Sequence, residues 1–225
     1  MKKRISSLLL FAALACVNAF GQTPATFFEP GKTIVYVSDL ANSSVDAMPE
    51  GWKLVEGYGC KVAELNGEKA IKIEGERTSI SPAIDGSLSD AFTVEYEVWS
   101  DTECPAVPFH NLNIELTDSN NDIALMLIAL NPCVGPDHNE LNYEFIKPTG
   151  VRGASAVDGS KVNGAMKANS WTKVQLSYSN GQCTYYINGT RMMKPVAIKK
   201  PTNVRITGID SEEVPFFVRN FRLAR

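Results

Sequence analysis

Glu95 and Glu97 are the two residues whose type and spacing come closest to a catalytic arrangement. They lie two positions apart in segment 91–99, where apolar and polar residues alternate as in a β-strand. Side chains two positions apart on a strand share a face and are separated by about 6.6 Å. Glycosidases usually hold two carboxylates about 5–10 Å apart across the scissile bond. The separation fits, but a carboxylate pair on a strand is a weak signal, and we predict no catalytic residue.

A larger set of polar side chains predicts a ligand-binding face. Segments 91–99 and 110–117 both alternate, and their polar positions would share one side if the two strands were neighbours. Carboxylates and amides bond to sugar hydroxyls, and an exposed tryptophan can stack on a pyranose ring. The predicted face contains Glu95, Glu97, Trp99, Asn111, Asn113 and Glu115, and Glu144 joins it if segment 142–147 pairs nearby. The alternative is the ordinary wet face of an antiparallel sheet.

The residue spacing gives little support to a metal site, a cofactor site or a catalytic nucleophile. His110 and His138 have no metal-ligand spacing. Residues 118–122 resemble a calcium loop but lack its glycine and its distal glutamate, so we predict a hairpin turn. Neither a nucleophile motif nor a glycine-rich phosphate loop after a strand is present. We predict no metal and no cofactor.

The N-terminus has the three parts of a secretory signal peptide. Lys2, Lys3 and Arg4 are followed by an apolar stretch, 8–17, and by small residues at two cleavage positions, before Phe20 and before Gln22. The apolar stretch is shorter than the roughly 20 residues that span a bilayer. We predict a signal peptide over 1–21 and no transmembrane segment in the mature chain; a short buried helix is the alternative.

The mature chain, 22–225, is predicted to be exported and acidic. Residues 1–21 hold three of the 22 basic residues and none of the 25 acidic ones, which leaves a net charge near −6. Such a surface repels phosphate backbones, so we expect no nucleic-acid partner. Whether it stays in the periplasm, on the outer membrane surface or outside the cell is open, as is lipidation at Cys16.

Four cysteines remain after the signal peptide and indicate a possible disulfide framework. Cys104 and Cys133 each lie beside a proline in a turn-rich segment, so we favour their pairing and leave Cys60 with Cys183. Four free thiols are the alternative. The spacing gives no C-x-x-C motif, so a zinc site or a redox pair is weakly supported.

The periodicity of the chain is that of strands almost throughout. Short alternating or apolar runs are separated by turn sequences, among them Asn66-Gly67, Asn180-Gly181 and Asn188-Gly189. Segment 150–168 is rich in Gly, Ala and Ser and predicts a long surface loop. Neither a linker nor an internal repeat divides the chain. We therefore predict one all-β domain, a sandwich or jelly roll of two antiparallel sheets.

The last third of the chain resembles the concanavalin A-like (laminin G-like) jelly rolls. The similarity lies in WTKVQLSY at 171–178, NGQCTYYING at 180–189 and FVRNFRL at 217–223. MPEGW at 48–52 and FTVEYE at 92–97 resemble the sandwich module found N-terminal to OmpA-like domains in some envelope proteins. Because the sequence ends at Arg225 without such a domain, we do not expect peptidoglycan anchoring through one.

The resemblance implies glycan binding, glycoside cleavage or a structural role. Jelly-roll glycosidases carry Glu-x-Asp-x-x-Glu, and the sequence from Glu95 to Asp101 lacks the third member at that spacing. We therefore predict a non-catalytic envelope module whose partner is a glycan or an envelope protein. A glycoside hydrolase or lyase using carboxylates of the wet face is the alternative function.

Overall fold

The computed structural model is a β-sandwich. It describes residues 27–99, 111–130, 140–148, 155–157, 160–163, 169–192 and 194–225. In chain order the strands are β1 Ile34–Val37, β2 Trp52–Glu56, β3 Gly59–Leu65, β4 Glu68–Glu74, β5 Arg77–Pro82, β6 Ala91–Trp99, β7 Asn111–Thr117, β8 Ile123–Leu130, β9 Glu140–Pro148, β10 Ser155–Val157, β11 Ser160–Asn163, β12 Thr172–Ser179, β13 Gln182–Ile187, β14 Thr190–Arg191, β15 Val196–Ala197, β16 Asn203–Ile209 and β17 Phe216–Ala224.

Two sheets form the sandwich, and every strand pair is antiparallel. The nine-stranded sheet has the order β14-β13-β12-β6-β17-β4-β3, with β1 also on β17 and β15 also on β13. The eight-stranded sheet has the order β10-β9-β8-β7-β16-β5-β2, with β11 also on β9. All regular structure in the described residues is strand, so the predicted all-β sandwich of two antiparallel sheets is confirmed.

The core lies between the sheets and is built from the alternating positions of the strands. In β6, Phe92, Val94, Tyr96 and Val98 are at most 2 % exposed, whereas the residues between them face away from the core. An aromatic cluster holds the two layers together around Phe221, whose ring lies 4.9 Å from that of Trp52 and 6.3 Å from that of Tyr96. Burial of such alternating faces is the main stabilising contribution.

Three predicted Asn-Gly turns close hairpins with the expected backbone geometry. Asn66, Asn180 and Asn188 have φ near +50°, and the glycine after each also has positive φ. Two successive residues with positive φ match the type I′ turn, whose twist suits that of the flanking strands. The hairpin turn predicted at 118–122 is also present, because Asp118 Oδ1 accepts hydrogen bonds from the amides of Asn120 and Asp122.

Some strands were not predicted from the sequence. β5, with the sequence RTSISP, reads as polar and ends in a proline. The loop predicted at 150–168 was wrong in part, because β10 and β11 lie within it and both pair with β9. These strands are short or polar and are held by cross-strand hydrogen bonds, so apolar periodicity does not reveal them.

Candidate functional site

The residues predicted to form one binding face lie on two different sheets. β6 pairs with β12 and β17 in the nine-stranded sheet, whereas β7 pairs with β8 and β16 in the eight-stranded sheet. The single face predicted from the sequence is therefore wrong. β6 and β7 follow each other in chain order but belong to different sheets.

The β7 half of the predicted face is polar but not wet. Asn113 and Glu115 are each 1 % exposed, on the side of the sheet that faces away from the core. Arg77 Nη2 approaches Glu115 Oε1 at 3.3 Å. Asn111 pairs with Ile209 along the backbone, and Glu144 pairs with Ile128, two strands away from β7. Asn113, Glu115 and Glu144 thus share the eight-stranded sheet, separate from Glu95.

The β6 half of the face contains a row of aromatic side chains. Trp99 pairs with Phe217 on β17. On the other side, Thr172 pairs with Val98, so Trp171 lies beside Trp99, with ring centroids 5.7 Å apart. All three rings are partly exposed. Trp171, Trp99 and Phe217 therefore form a row across three strands on the outer face, which we call the aromatic row.

Arg219 connects the aromatic row to the charged residues beside it. Its Cζ atom lies 4.0 Å from the centroid of the Trp171 ring, a cation–π contact. Its Nε donates a 2.6 Å hydrogen bond to Glu97 Oε2, and Nη1 forms an ion pair with Glu68. The guanidinium group is thereby fixed in one orientation by contacts on three sides.

A β-bulge in β17 gives Arg219 its position. The pairing of β17 with β6 shifts register between Arg219 and Arg222, and Asn220 within the bulge has a φ of +53°. Asparagine adopts this left-handed conformation more readily than most residues. Asn220 Nδ2 also donates to Glu97 Oε2 at 3.0 Å. Bulges commonly redirect side chains beside functional sites.

Glu95 lies in the next ion-pair group along β6. Arg222 Nη1 donates to its Oε1 at 2.7 Å, and Lys173 Nζ lies 3.1 Å from its Oε2. Burial raises the pKa of Glu95, but the hydrogen bonds from Arg222 and Lys173 outweigh this effect, and the pKa falls below its ordinary value. Glu95 is therefore held as a carboxylate.

This arrangement favours binding over acid–base catalysis. A glycosidase acid needs a carboxyl group that stays protonated, usually through a raised pKa. The pKa of Glu95 moves in the opposite direction, and Glu97 is bound by Arg219 and Asn220. Partly exposed aromatic rings beside fixed donors and acceptors instead offer a surface to which a polyhydroxylated ligand can stack and hydrogen-bond.

An open depression of about 390 Å³ continues the site along β17. Its lining comprises segment 38–41, Glu68 and Lys69 at the start of β4, and Arg219 with Asn220 in the bulge. Arg219 therefore contacts the aromatic row and lines the depression. The site is an elongated surface rather than a closed pocket.

Sequence reasoning named Trp99, Glu95 and Glu97 but missed Trp171, Phe217 and Arg219. Each of these was visible as part of a motif, Trp171 at the start of WTKVQLSY and the other two in FVRNFRL. What was missing was the pairing of β6 between β12 and β17, which brings the three segments together. Alternation along one strand does not reveal which distant strand lies beside it.

The cysteine prediction is corrected where the structure describes it. Cys60 and Cys183 are free thiols, so the predicted Cys60–Cys183 disulfide is wrong. They belong to β3 and β13, five strand spacings or about 24 Å apart, whereas bridged Cα atoms lie within about 7 Å. Cys104 and Cys133 lie outside the described residues, as do His110 and His138.

The described part of the chain has neither a metal-binding cluster nor a membrane-crossing helix. None of its His, Cys, Asp and Glu side chains gather in a group of three or more that could hold a metal ion. The same residues contain no helix with the length and apolarity needed to cross a membrane.

Comparison with known proteins identifies the fold. No family model and no curated protein matches the sequence. Among solved structures, the CBM2 module of the evolved Dit protein of Lactobacillus casei BL23 phage J-1 is similar with a TM-score of 0.59 at 12% identity, over 87% of this chain and 96% of that one. The carbohydrate recognition domain of Emp46p is similar with a TM-score of 0.56 at 15% identity, over 86% and 94%.

The fold is a concanavalin A-like jelly roll. A third neighbour, the carbohydrate-binding module CBM66 of Bacillus subtilis, covers 78% of this chain and 96% of its own, with a TM-score of 0.51 at 12% identity. At these identities the similarity establishes the jelly roll alone. The site of this jelly roll must be argued from its own side chains.

Proposed function

We propose that this chain is an exported, non-catalytic glycan-binding module of a bacterial cell envelope. The observation that carries the proposal is the aromatic row of Trp171, Trp99 and Phe217, which lies partly exposed on the outer face of the nine-stranded sheet. The glycan would lie along this row, within reach of the polar groups of Glu97, Arg219 and Asn220.

Aromatic rings on a rigid sheet suit the chemistry of a sugar. One face of a pyranose ring presents mainly C–H groups, which pack against an aromatic ring, while its hydroxyls point outward and need hydrogen-bond partners. Aromatic side chains offer a large apolar area at little cost in conformational entropy. Glu97 and Arg219 supply charge-assisted hydrogen bonds, which are stronger than those between neutral groups.

The non-catalytic part of the proposal rests on the paired carboxylates. Glu95 is bound by Arg222 and Lys173, and Glu97 by Arg219 and Asn220. The pKa of Glu95 is lowered, which is the opposite of what the acid of a glycosidase requires. We therefore rank the hydrolase or lyase alternative below binding.

The envelope location rests on the sequence. The N-terminal 21 residues have the pattern of a signal peptide, and two segments resemble the sandwich module that precedes OmpA-like domains. The three structural neighbours named above are a CBM2 module, a carbohydrate recognition domain and the module CBM66, which favours glycan binding by analogy. Contact with another envelope protein is the competing role.

A glycan array probed with residues 22–225 tests the proposal. The wild type is compared with Trp99→Ala, Trp171→Ala and, as a matched control, Tyr58→Ala, which removes a side chain that is 75% exposed and lies outside the row. We expect specific binding that both tryptophan variants lose and the control retains. Glycan binding that is unchanged in the tryptophan variants would exclude this site. No binding by the wild type would exclude the proposed function and favour a protein partner.

A further inference from the structure

The aromatic row and the depression form one continuous surface because Arg219 belongs to both. Its guanidinium group covers the Trp171 ring and also lines the depression with Asn220 and Glu68. The row itself crosses from β12 to β17, two strand spacings or about 10 Å. Together with the depression, this surface is longer than a single sugar ring.

The charges that line the depression are already satisfied within the protein. Arg219 is paired with Glu68 and Glu97. Lys69 Nζ donates to the carbonyl oxygens of Ala41 and Ser43, each at 2.8 Å. Asp39 Oδ1 accepts a 2.9 Å hydrogen bond from the Ala41 amide. Each of the four charged side chains in the lining therefore has a protein partner.

This pairing discriminates against charged ligands. An anionic group on Arg219 would place a third negative charge beside Glu68 and Glu97, and these like charges would repel one another. An uncharged sugar avoids this repulsion and still finds bonding sites, because paired carboxylates keep spare acceptor sites and a guanidinium has five N–H donors. Hydroxyl groups can bond to these remaining sites while the ion pairs stay intact.

We propose that the ligand is an uncharged polysaccharide segment several sugar units long, with one part stacked on the aromatic row and the adjoining part in the depression. This inference rests on the proposed glycan-binding function and adds the class and length of the glycan. Arg219 acts at the junction as the residue that determines specificity, since its charge is already neutralised before the glycan binds.

The test compares neutral gluco-, manno-, galacto- and xylo-oligosaccharides with galacturonate, sialylated and sulfated oligosaccharides, each from two to six units, by titration calorimetry. We expect neutral ligands to bind, with affinity rising about tenfold or more with length. We also expect their affinity to change less than about twofold between about 50 and 500 mM salt, because no net ion pair forms.

A blocking variant locates the second half of the ligand. Ala41→Trp places a large side chain in the depression, whereas Ala197→Trp on β15 is a matched control at another exposed alanine. We expect Ala41→Trp to abolish the increase in affinity with oligosaccharide length and to leave binding of the shortest ligand intact. This inference would be overturned by a preference for acidic ligands, by a steep salt dependence of the affinity, or by an Ala41→Trp variant whose affinity still increases with ligand length. Each of these outcomes would leave glycan binding itself supported. No binding by either series would overturn the proposed function itself.

Discussion

Arg219 and Trp171 are in contact although a whole strand lies between them. Arg219 is on β17 and Trp171 immediately precedes β12, with β6 in the middle, and the guanidinium carbon lies 4.0 Å from the centroid of the indole ring. The same guanidinium group bonds to Glu97 on the intervening strand. Three strands of the outer face are thus connected at the point where we place the ligand.

Replacing Arg219 by lysine tests whether binding depends on the planar guanidinium group or only on its positive charge. Lysine keeps the charge but loses the planar group that stacks on Trp171 and bonds to Glu97, so we expect glycan affinity to fall about threefold to tenfold. Arg222→Lys is the matched control, because Arg222 pairs with Glu95 outside the aromatic row. Titration calorimetry of both variants measures the difference. Equal losses in the two would contradict the role of Arg219.

Glu95 is expected to make stability depend on pH in the acid range. Its folded-state pKa lies below its ordinary value of 4.5, so its stabilising contribution is present above that pH and is lost as the pH falls towards the folded-state pKa. Glu95→Gln should therefore flatten the decline in the free energy of unfolding below about pH 4.5. Urea unfolding at several pH values measures this decline.

The exposed Glu50→Gln variant serves as the control for that experiment. Because Glu50 lies on the surface away from Arg222 and Lys173, its replacement should leave the acid dependence nearly unchanged. Identical pH profiles for wild type and Glu95→Gln would show that the ion pairs seen at Glu95 contribute nothing to folding.

Phe221 is expected to be the most costly side chain to remove from the aromatic cluster. It is fully buried and contacts Tyr36, Trp52 and Tyr96 across both layers. Phe221→Ala should lower the free energy of unfolding by about 3–5 kcal/mol, because it leaves a cavity. Phe27→Ala, at a ring that is 68% exposed, should change it by less than about 0.5 kcal/mol. Chemical denaturation checks both values.

The two described cysteines are expected to be unreactive in the folded protein. Burial raises the pKa of the Cys60 thiol to about 12 and also raises that of Cys183, so little reactive thiolate exists at neutral pH. Using residues 22–225 with Cys104→Ser and Cys133→Ser, we expect a thiol reagent to label Cys60 and Cys183 only after denaturation. A disulfide between them in peptide mapping would contradict the separation of β3 and β13.

The sequence predicted those parts of the fold that depend on local pattern. The alternation of β6 is visible in residues 91–99, and the Asn-Gly pairs mark hairpin turns because they adopt positive φ at low cost. β5 was not predicted because its buried residues include Thr78 and Ser79, which a hydropathy pattern counts as polar. Their burial is supported by hydrogen bonds from Thr78 Oγ1 to the Glu74 carbonyl oxygen and from Thr207 Oγ1 to Ser79 Oγ.

The site was only half predictable because it depends on which strands become neighbours. Glu95, Glu97 and Trp99 follow from the alternation of a single strand. Their assignment to one face with Asn113 and Glu115 failed because β6 and β7 lie in different sheets. Trp171 follows Trp99 by more than 70 residues in the sequence, and Phe217 follows it by more than 110. Strand pairing brings both of them beside Trp99. No local period encodes such pairings.

The three tryptophan indole N–H signals in an NMR titration with a neutral hexasaccharide give the most direct test. The chain has three tryptophans. Trp99 and Trp171 lie in the aromatic row, whereas Trp52 is buried in the core and its Nε1 donates to Ser38, which lines the depression. The account predicts that the Trp99 and Trp171 signals shift with saturation and that the signal of the buried Trp52 shifts less. Binding that leaves the Trp99 and Trp171 signals unmoved would contradict the account.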